Sequence, residues 1–174
     1  VGEIAAASSV VFAGNLGTGQ SLDTILDAAE RVAARGQPIR FFIVGSGSLS
    51  GWLAEEVARR GLTNVLLPGR FPSSAMTSIY ASATALLVSL RDEPIFAQTI
   101  PSKVQGYLAA GKPIIASLNG EGARVVVEAK AGVACPAGDS EALADAVIHI
   151  CGQDDDARRE MGENGRSYAQ KHFG

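Results

Sequence analysis

Short apolar runs, most of them closed by glycine or proline, alternate along this chain with segments in which apolar residues recur at helical spacing. The runs predict six strands, at residues 10–13, 39–44, 65–67, 85–88, 113–116 and 132–135. The intervening segments predict helices, at residues 22–35, 49–60, 73–81, 103–110, 122–129, 140–150 and 154–173.

Strict alternation of strands and helices is typical of an α/β protein with a doubly wound, parallel, six-stranded, Rossmann-like sheet. We expect residues 1–174 to form a single domain, with residues 1–8 as a lead-in that shows no core pattern. Ligands of such sheets bind beyond the carboxyl ends of the strands. The candidate ligand-binding loops are therefore residues 14–21, 45–49, 69–73, 89–102 and 117–123.

Composition narrows the class of protein without naming it. Of the 174 residues 47% are apolar and 19% are charged, which is typical of a globular chain. The net charge of −3 gives no support to a nucleic-acid partner or to a polybasic membrane contact. The two cysteines lack metal-ligand spacing, which favours a reducing compartment. The sequence has no initiator methionine, so we expect a fragment or a processed chain.

Two glycine-rich loops follow predicted strands. GNLGTGQ, at residues 14–20, opens a helix and suits an anion, although a plain glycine-rich turn explains it equally well. VGSGSLSG, at residues 44–51, approaches a dinucleotide fingerprint, but its third glycine is misplaced and no acidic residue follows about 20 positions later. We interpret it as a tight turn that lines a ligand cleft rather than as an NAD site.

The strongest single candidate is Lys103. Ser102 and Gln105 have the spacing of a helix capping box, which places Lys103 in the first turn of the helix. A cation there costs about 0.3–1 kcal/mol, because the helix dipole is positive at that end. A bound phosphate reverses this cost, so we predict an anion site at Lys103. The acidic residues 154–156 suit a helix start, and no metal site or catalytic histidine is predicted.

Taken together, these segments resemble the C-terminal, donor-binding domain of glycosyltransferase family 4, one half of a GT-B fold. The resemblance spans residues 8–174 and rests on the order and spacing of its blocks rather than on any one of them. The blocks are FAGNLGTGQSLD, FFIVGSG, NVLLPGRFPSSAMTSIYASATALLVSL, IPSKVQGYLAAGKPIIAS, GEGARVVVEAKAGVACPAGDSEALADAV and REMGENGRSYAQKHF. The GN-G--Q and PSK forms look most like a bacterial subgroup that builds cell-surface polysaccharides.

The resemblance implies transfer of a sugar from a nucleoside-diphosphate donor, with retention at the anomeric carbon and without a catalytic metal. It implies that Lys103 neutralises the leaving diphosphate. The donor-binding residues carried over by position are Gly14, Asn15, Gly17, Gln20, Gly45, Ser46, Arg70, Phe71, Gln98, Pro101, Ser102 and Gln105. No cofactor is expected, and the first expectation for the donor is a UDP-linked sugar.

This sequence departs from the family at several charged positions. Gln98 and Gly106 stand where the family usually has two glutamates, the second of which binds the nucleotide ribose. Asn15 and Gln20 align with an arginine and a lysine of the family's first loop. Either Gln98 or Gln105 substitutes for the glutamates, or this site is weakened. The rival hypotheses are a non-catalytic, degenerate domain that acts as a scaffold and, less favoured, an NAD-binding oxidoreductase domain.

The resemblance also implies partners outside this chain. An N-terminal domain would bind a glycan or lipid-linked acceptor, and the helix at residues 154–174 would cross back to that domain. The full-length enzyme is then expected in the cytoplasm, including a peripheral position at the inner face of the membrane. No nucleic-acid partner is expected.

Overall fold

The computed structural model describes residues 1–174 and contains one six-stranded parallel sheet in the order β3-β2-β1-β4-β5-β6. The strands are β1 (Ser9–Asn15), β2 (Arg40–Ser46), β3 (Val65–Gly69), β4 (Ala85–Ser89), β5 (Ile114–Ser117) and β6 (Gly132–Cys135). This sheet order, with helices on both faces, is the doubly wound Rossmann-like arrangement predicted from the sequence.

Nine helices connect or flank the strands. They are α1 (Gly2–Ala5), α2 (Leu22–Ala34), α3 (Ser50–Arg60), α4 (Ser73–Ser82), α5 (Pro94–Ala97), α6 (Ser102–Ala110), α7 (Glu121–Glu128), α8 (Ser140–Cys151) and α9 (Asp155–Phe173). A 3₁₀ turn, Thr18–Gln20, lies between β1 and α2.

The sheet separates two apolar cores. On one face Val10 and Phe12 of β1 pack with residues of α2, α3 and α8, and on the other face Val11 and Ala13 pack with residues of α4, α6 and α7. Successive side chains of a strand point to opposite faces, so a strand covered on both faces is apolar without interruption. This is why the strands were visible in the sequence as continuous apolar runs.

The strands β1 and β2 extend further than their apolar runs. Their pairing continues through Gly14 opposite Gly45 and Asn15 opposite Ser46, where the sequence had predicted loop. The backbone hydrogen bonds of a parallel ladder do not require apolar side chains, so the hydrophobic pattern ended before the strands did. The extension places these four residues at the carboxyl edge of the sheet on rigid elements.

The capping box predicted at Ser102 and Gln105 is wrong. The residue that precedes the helix is Pro101, in an extended conformation (φ −59°, ψ 143°), and no side chain caps α6. Proline holds φ near −65°, which suits a residue at a helix start. Ser102 is therefore the first residue of the helix rather than its cap. Lys103 is still in that first turn, as predicted. At α9 the acidic interpretation is correct, because the Asp154 carboxylate accepts a hydrogen bond from the Ala157 N–H at 2.7 Å.

The lead-in at residues 1–8 contributes one residue to the apolar core. Residues 2–5 form the short helix α1, and Ile4 is buried in the core beneath α4. A segment with one buried apolar residue has no periodicity that the sequence could reveal. The long loop predicted at residues 89–101 likewise contains a short helix, α5.

The last helix packs closely on this domain along α6. A Cβ on Gly162 would lie 2.0 Å from the carbonyl oxygen of Gly111, and one on Gly165 would lie 3.3 Å from Leu108 Cδ2. The backbones of α9 and of the turn after α6 therefore touch at Gly162. The crossing of this helix to a second domain stays a prediction.

Candidate functional site

The neighbouring strands β1 and β4 diverge at their carboxyl ends, and a buried tyrosine occupies the gap. The β1–β4 pairing ends at Phe12 opposite Leu87. One residue further, the Ala13 N–H donates to the hydroxyl of Tyr107 at 3.1 Å, and that hydroxyl lies 3.4 Å from the Ala13 carbonyl oxygen. The side chain of α6 thus substitutes for the strand partner that β4 no longer provides. This is the switch point of the sheet, where doubly wound folds bind ligands.

Replacing Tyr107 with phenylalanine is expected to lower the free energy of unfolding by about 1–3 kcal/mol, because the buried Ala13 N–H loses its acceptor. Urea unfolding followed by circular dichroism measures the change. The control is Tyr80→Phe: the Tyr80 ring stacks edge-on against Tyr107 at 5.5 Å, and its loss of a hydroxyl should matter by less than about 0.5 kcal/mol. Equal stabilities of the two variants would contradict the role given to Tyr107.

A cleft with two adjoining lobes opens at this edge of the sheet. The first, called the β4 lobe, has a volume of about 370 Å³ and lies between β1, the end of β4 and the start of α6. It is lined by Phe12, Ala13, Gly14, Asn15, Gln20, Leu87, Val88, Ser89, Leu90, Phe96, Thr99, Pro101, Ser102, Lys103 and Tyr107. Mixed apolar walls with a few polar groups are typical of a small-molecule site.

The second lobe, called the β2 lobe, has a volume of about 380 Å³ and lies over the ends of β1, β2 and β3. It is lined by Ala13, Gly14, Asn15, Val44, Gly45, Ser46, Arg70, Phe71, Ser73, Met76 and Lys103. Lys103 and the end of β1 are common to both lobes, so a ligand that spans the cleft passes Lys103.

Glycines bring the walls of the cleft together. A Cβ on Gly45, which has φ +138°, would lie 1.9 Å from the carbonyl oxygen of Gly14, and one on Gly14 would lie 3.4 Å from Lys103 Cε. The Asn15 side chain lies between Gly17 and Gly47, since a Cβ on either glycine would come within 2.6 Å of its amide. The absence of side chains at these positions brings the Lys103 stem onto the strand ends.

The cleft is positively charged. Lys103 and Arg70 form no ion pair and no side-chain hydrogen bond with the protein, and no aspartate or glutamate lines either lobe. The backbone N–H groups of Ser102 and Lys103, at the start of α6, donate to no backbone carbonyl. Partial removal of Lys103 from water lowers its pKa. An unpaired cation, free amides and a helix N-terminus together favour a phosphate.

The pH dependence of anion binding follows from the Lys103 pKa, which lies below the ordinary 10.5 in the free protein. The ammonium form binds the anion, and the bound anion raises the pKa again. We expect affinity to be constant near neutral pH and to fall as pH rises through the pKa of free Lys103, with the fall beginning earlier than for an ordinary lysine. Titration calorimetry with UDP from about pH 7 to about pH 10 measures it. An affinity independent of pH over that range would argue against Lys103 as the anion ligand.

Most of the predicted site residues meet at this cleft. The residues that line one lobe or the other are Gly14, Asn15, Gln20, Gly45, Ser46, Arg70, Phe71, Pro101, Ser102 and Lys103. Gly17 lies just behind them, where its N–H donates to Gln20 Oε1 at 3.2 Å. Their contact with a donor stays a prediction.

The structure does not bring Gln98 or Gln105 to the cleft. Gln98 is exposed at the end of α5 and lines neither lobe. Gln105 instead lines a groove between α6 and α9 together with Arg166 and Phe173. On α6 the cleft is lined by Ser102, Lys103 and Tyr107, whereas Gln105 lies on the side of the helix that faces α9. Neither glutamine stands where it would replace the family's glutamates within this cleft.

Several residues that line the β4 lobe were not among the predicted site residues, among them Ser89, Phe96, Thr99 and Tyr107. Tyr107 follows Lys103 by four positions on a helix, so its shared face was a usable signal. Ser89 is buried and its hydroxyl has no hydrogen-bond partner in the protein. Phe96 lines the lobe because α5 folds over the 3₁₀ turn, where a Cβ on Gly19 would lie 3.2 Å from the Phe96 ring. No pattern in the sequence indicated that contact.

No three histidine, cysteine, aspartate or glutamate side chains stand together as a metal site would require. No helix combines the length and the apolar character needed to cross a bilayer.

The fold and the cleft define a Rossmann-like ligand-binding domain of GT-B type. Residues 7–153 match the family described as glycosyl transferases group 1, and the chain belongs to that family. A probable glycosyltransferase, WbjE from Pseudomonas aeruginosa, is 29% identical over 164 residues, which cover 93% of this chain and 40% of WbjE. The chain thus spans less than half the length of this relative.

Solved structures share the fold at low identity. HepE from Anabaena, in complex with UDP-glucose, superposes with a TM-score of 0.79 and 21% identity over 98% of this chain and 46% of HepE. The C-terminal domain of LpcC, a glycosyl transferase group 1 family protein from Francisella tularensis, superposes with a TM-score of 0.77 and 16% identity. That match covers 95% of this chain and 86% of the LpcC domain.

Proposed function

We propose that this chain is the donor-binding half of a retaining glycosyltransferase of family 4, which moves a sugar from a nucleoside diphosphate to an acceptor. One observation carries the proposal: the two lobes of the cleft meet at Lys103, an unpaired cation at a helix N-terminus, with no carboxylate in either wall. A nucleoside-diphosphate sugar has two uncharged ends and a dianionic centre. The cleft matches this distribution of charge, because Lys103 lies where its two lobes meet and Arg70 lines the β2 lobe.

The chemistry assigned to Lys103 is electrostatic. When the bond between sugar and diphosphate breaks, negative charge grows on the leaving diphosphate oxygen. The Lys103 ammonium and the free N–H groups of Ser102 and Lys103 are placed to stabilise that charge without a metal ion. Arg70, in the β2 lobe, is a second cation for the same ligand.

The comparisons support the finer parts of the proposal. HepE was solved with UDP-glucose, and we extend a UDP-linked donor to this chain as the first expectation. The near-complete match to the C-terminal domain of LpcC supports a C-terminal position in a two-domain enzyme, with α9 leading to an acceptor-binding domain. The GN-G--Q and PSK forms support a role in bacterial polysaccharide synthesis, with a glycan or lipid-linked acceptor at the cytoplasmic membrane face.

Ligand-observed NMR with UDP, GDP, dTDP, ADP and NAD tests the proposal on this chain. We expect saturation transfer to one nucleoside diphosphate, with the base identified by the strongest response. Transfer to NAD and to none of the diphosphates would favour the oxidoreductase hypothesis. Silence from all five ligands would contradict donor binding by this chain and favour the scaffold hypothesis.

Gly106 offers a gain-of-function experiment. A Cβ at Gly106 meets nothing within 4 Å, and the residue shares a helical face with Ser102, which lines the β4 lobe. We expect Gly106→Glu, which installs the ribose-binding glutamate of the family, to strengthen UDP binding by about 10- to 100-fold, equivalent to one charge-assisted hydrogen bond. Calorimetry measures it, with Gly106→Gln as the uncharged control. No gain in Gly106→Glu would argue that the ribose lies elsewhere.

A further inference from the structure

A second, smaller depression lies outside the cleft, on the opposite side of the 3₁₀ turn. It has a volume of about 270 Å³ and is lined by Thr18, Leu22, Asp23, Leu49, Trp52 and Arg91. Trp52 is the single tryptophan of the chain and is half-buried, packed against the apolar core on one side and lining the depression on the other. An indole ring that is neither covered nor fully exposed combines a flat apolar surface with an N–H donor.

Two charged groups beside the indole have no ionic partner. The Arg91 guanidinium forms no ion pair and no side-chain hydrogen bond, and the Asp23 carboxylate has only a long contact of 3.4 Å from the Ser21 hydroxyl. They line the same depression without pairing with each other. Opposite charges that stay unpaired beside an apolar surface are available to a ligand with both donors and acceptors.

The depression is joined to the cleft through the backbone. The Arg91 N–H donates to the carbonyl oxygen of Gly19 at 2.8 Å, which ties the loop after β4 to the 3₁₀ turn. Gln20, the last residue of that turn, lines the β4 lobe, whereas Thr18, its first residue, lines the depression. One turn of three residues therefore separates the two sites.

We propose that this depression binds one ring of a saccharide, outside the donor cleft. A pyranose has a face of C–H groups that stacks on an aromatic ring, and its hydroxyls both donate and accept hydrogen bonds. At this site the hydroxyls donate to the Asp23 carboxylate and accept from the Arg91 guanidinium while the C–H face covers Trp52. The inference goes beyond donor binding, and it uses the proposed function only to expect saccharides among the substrates. A glycan held here lies one turn away from the donor.

The unique tryptophan makes the test direct, because all indole emission comes from the depression. The probes are the methyl glycosides of glucose, galactose, mannose, rhamnose and N-acetylglucosamine. We expect at least one to shift the emission saturably to shorter wavelength, with a Kd on the order of 1 mM for a single ring. Asp23→Asn and Arg91→Gln are each expected to weaken that binding at least about 10-fold, since each removes a charge-assisted hydrogen bond.

Glu30→Gln is the matched control, because it removes one exposed carboxylate from the same helix as Asp23 without approaching the depression. It is expected to bind the glycoside like the parent chain. The proposal is overturned if none of the five glycosides shifts the emission, if the shift is equal in all variants, or if only uridine, whose flat base also stacks on indole, produces it. UDP affinity measured by calorimetry on the same preparations keeps a failure of this site separate from a failure of the donor site.

Discussion

Replacement of Lys103 by methionine is expected to weaken UDP binding by about 10- to 100-fold, because it removes a charge-assisted contact with the diphosphate. The same change is expected to raise the free energy of unfolding by about 0.3–1 kcal/mol, since it relieves a cation at the positive end of α6. Methionine keeps the length of the stem that lies on Gly14 and has a similar helix propensity. Calorimetry and urea unfolding give the two numbers.

The opposite signs of the two effects distinguish a functional lysine from a structural one. Lys171→Met is the control, because Lys171 occupies the last turn of α9, where the helix dipole favours a cation. That variant should keep the parent's UDP affinity and lose a few tenths of a kcal/mol of stability. If Lys103→Met bound UDP as tightly as the parent chain, the diphosphate role of Lys103 would be lost, and with it the observation on which the proposed function rests.

A methyl group added at Gly45 should be among the most damaging small changes in the domain, with a loss of about 3–5 kcal/mol of the free energy of unfolding. Its Cβ would stand 1.9 Å from the Gly14 carbonyl oxygen, and the backbone there has a φ of +138° that alanine rarely adopts. Both atoms belong to paired strands, so neither gives way cheaply. Urea unfolding of Gly45→Ala measures the loss.

Gly106→Ala provides the contrast, because a Cβ there meets nothing within 4 Å and the residue is helical. It is expected to gain about 0.5–1 kcal/mol, as alanine is the better residue in a helix interior. If Gly45→Ala were as stable as the parent chain, the strand ends would be free to move apart, and the close approach that defines the floor of the cleft would be wrong.

The sequence predicted the sheet and most of the cleft for a physical reason. Strands buried on both faces are apolar runs, and in a parallel sheet their carboxyl ends fall at one edge, so Gly14, Gly45 and Lys103 were expected to meet. What it could not predict depended on contacts between distant segments. Examples are the hydroxyl of Tyr107 at the Ala13 N–H, 94 positions apart, and the burial of Ile4. The local pattern of apolar and polar residues does not indicate which distant residues will be in contact.

The misplaced residues have local causes. Gln105 was assigned to the site by position, as a substitute for one of the family's glutamates, but it lines the groove between α6 and α9. Lys103 and Tyr107, each two positions from Gln105, line the cleft, and two positions on a helix turn a side chain by about 200°. Gln98 lies away from the cleft because the loop that contains it folds into the short helix α5.

The strand order has a consequence for synthesis on the ribosome. β2 pairs with β1, β3 with β2, β4 with the other edge of β1, β5 with β4 and β6 with β5, so each strand joins an edge that earlier residues have already formed. No strand has to be inserted between two finished neighbours, and growth of the sheet follows the direction of translation. The cleft is closed once Tyr107 emerges and ties α6 to β1, before α7, α8 and α9 exist.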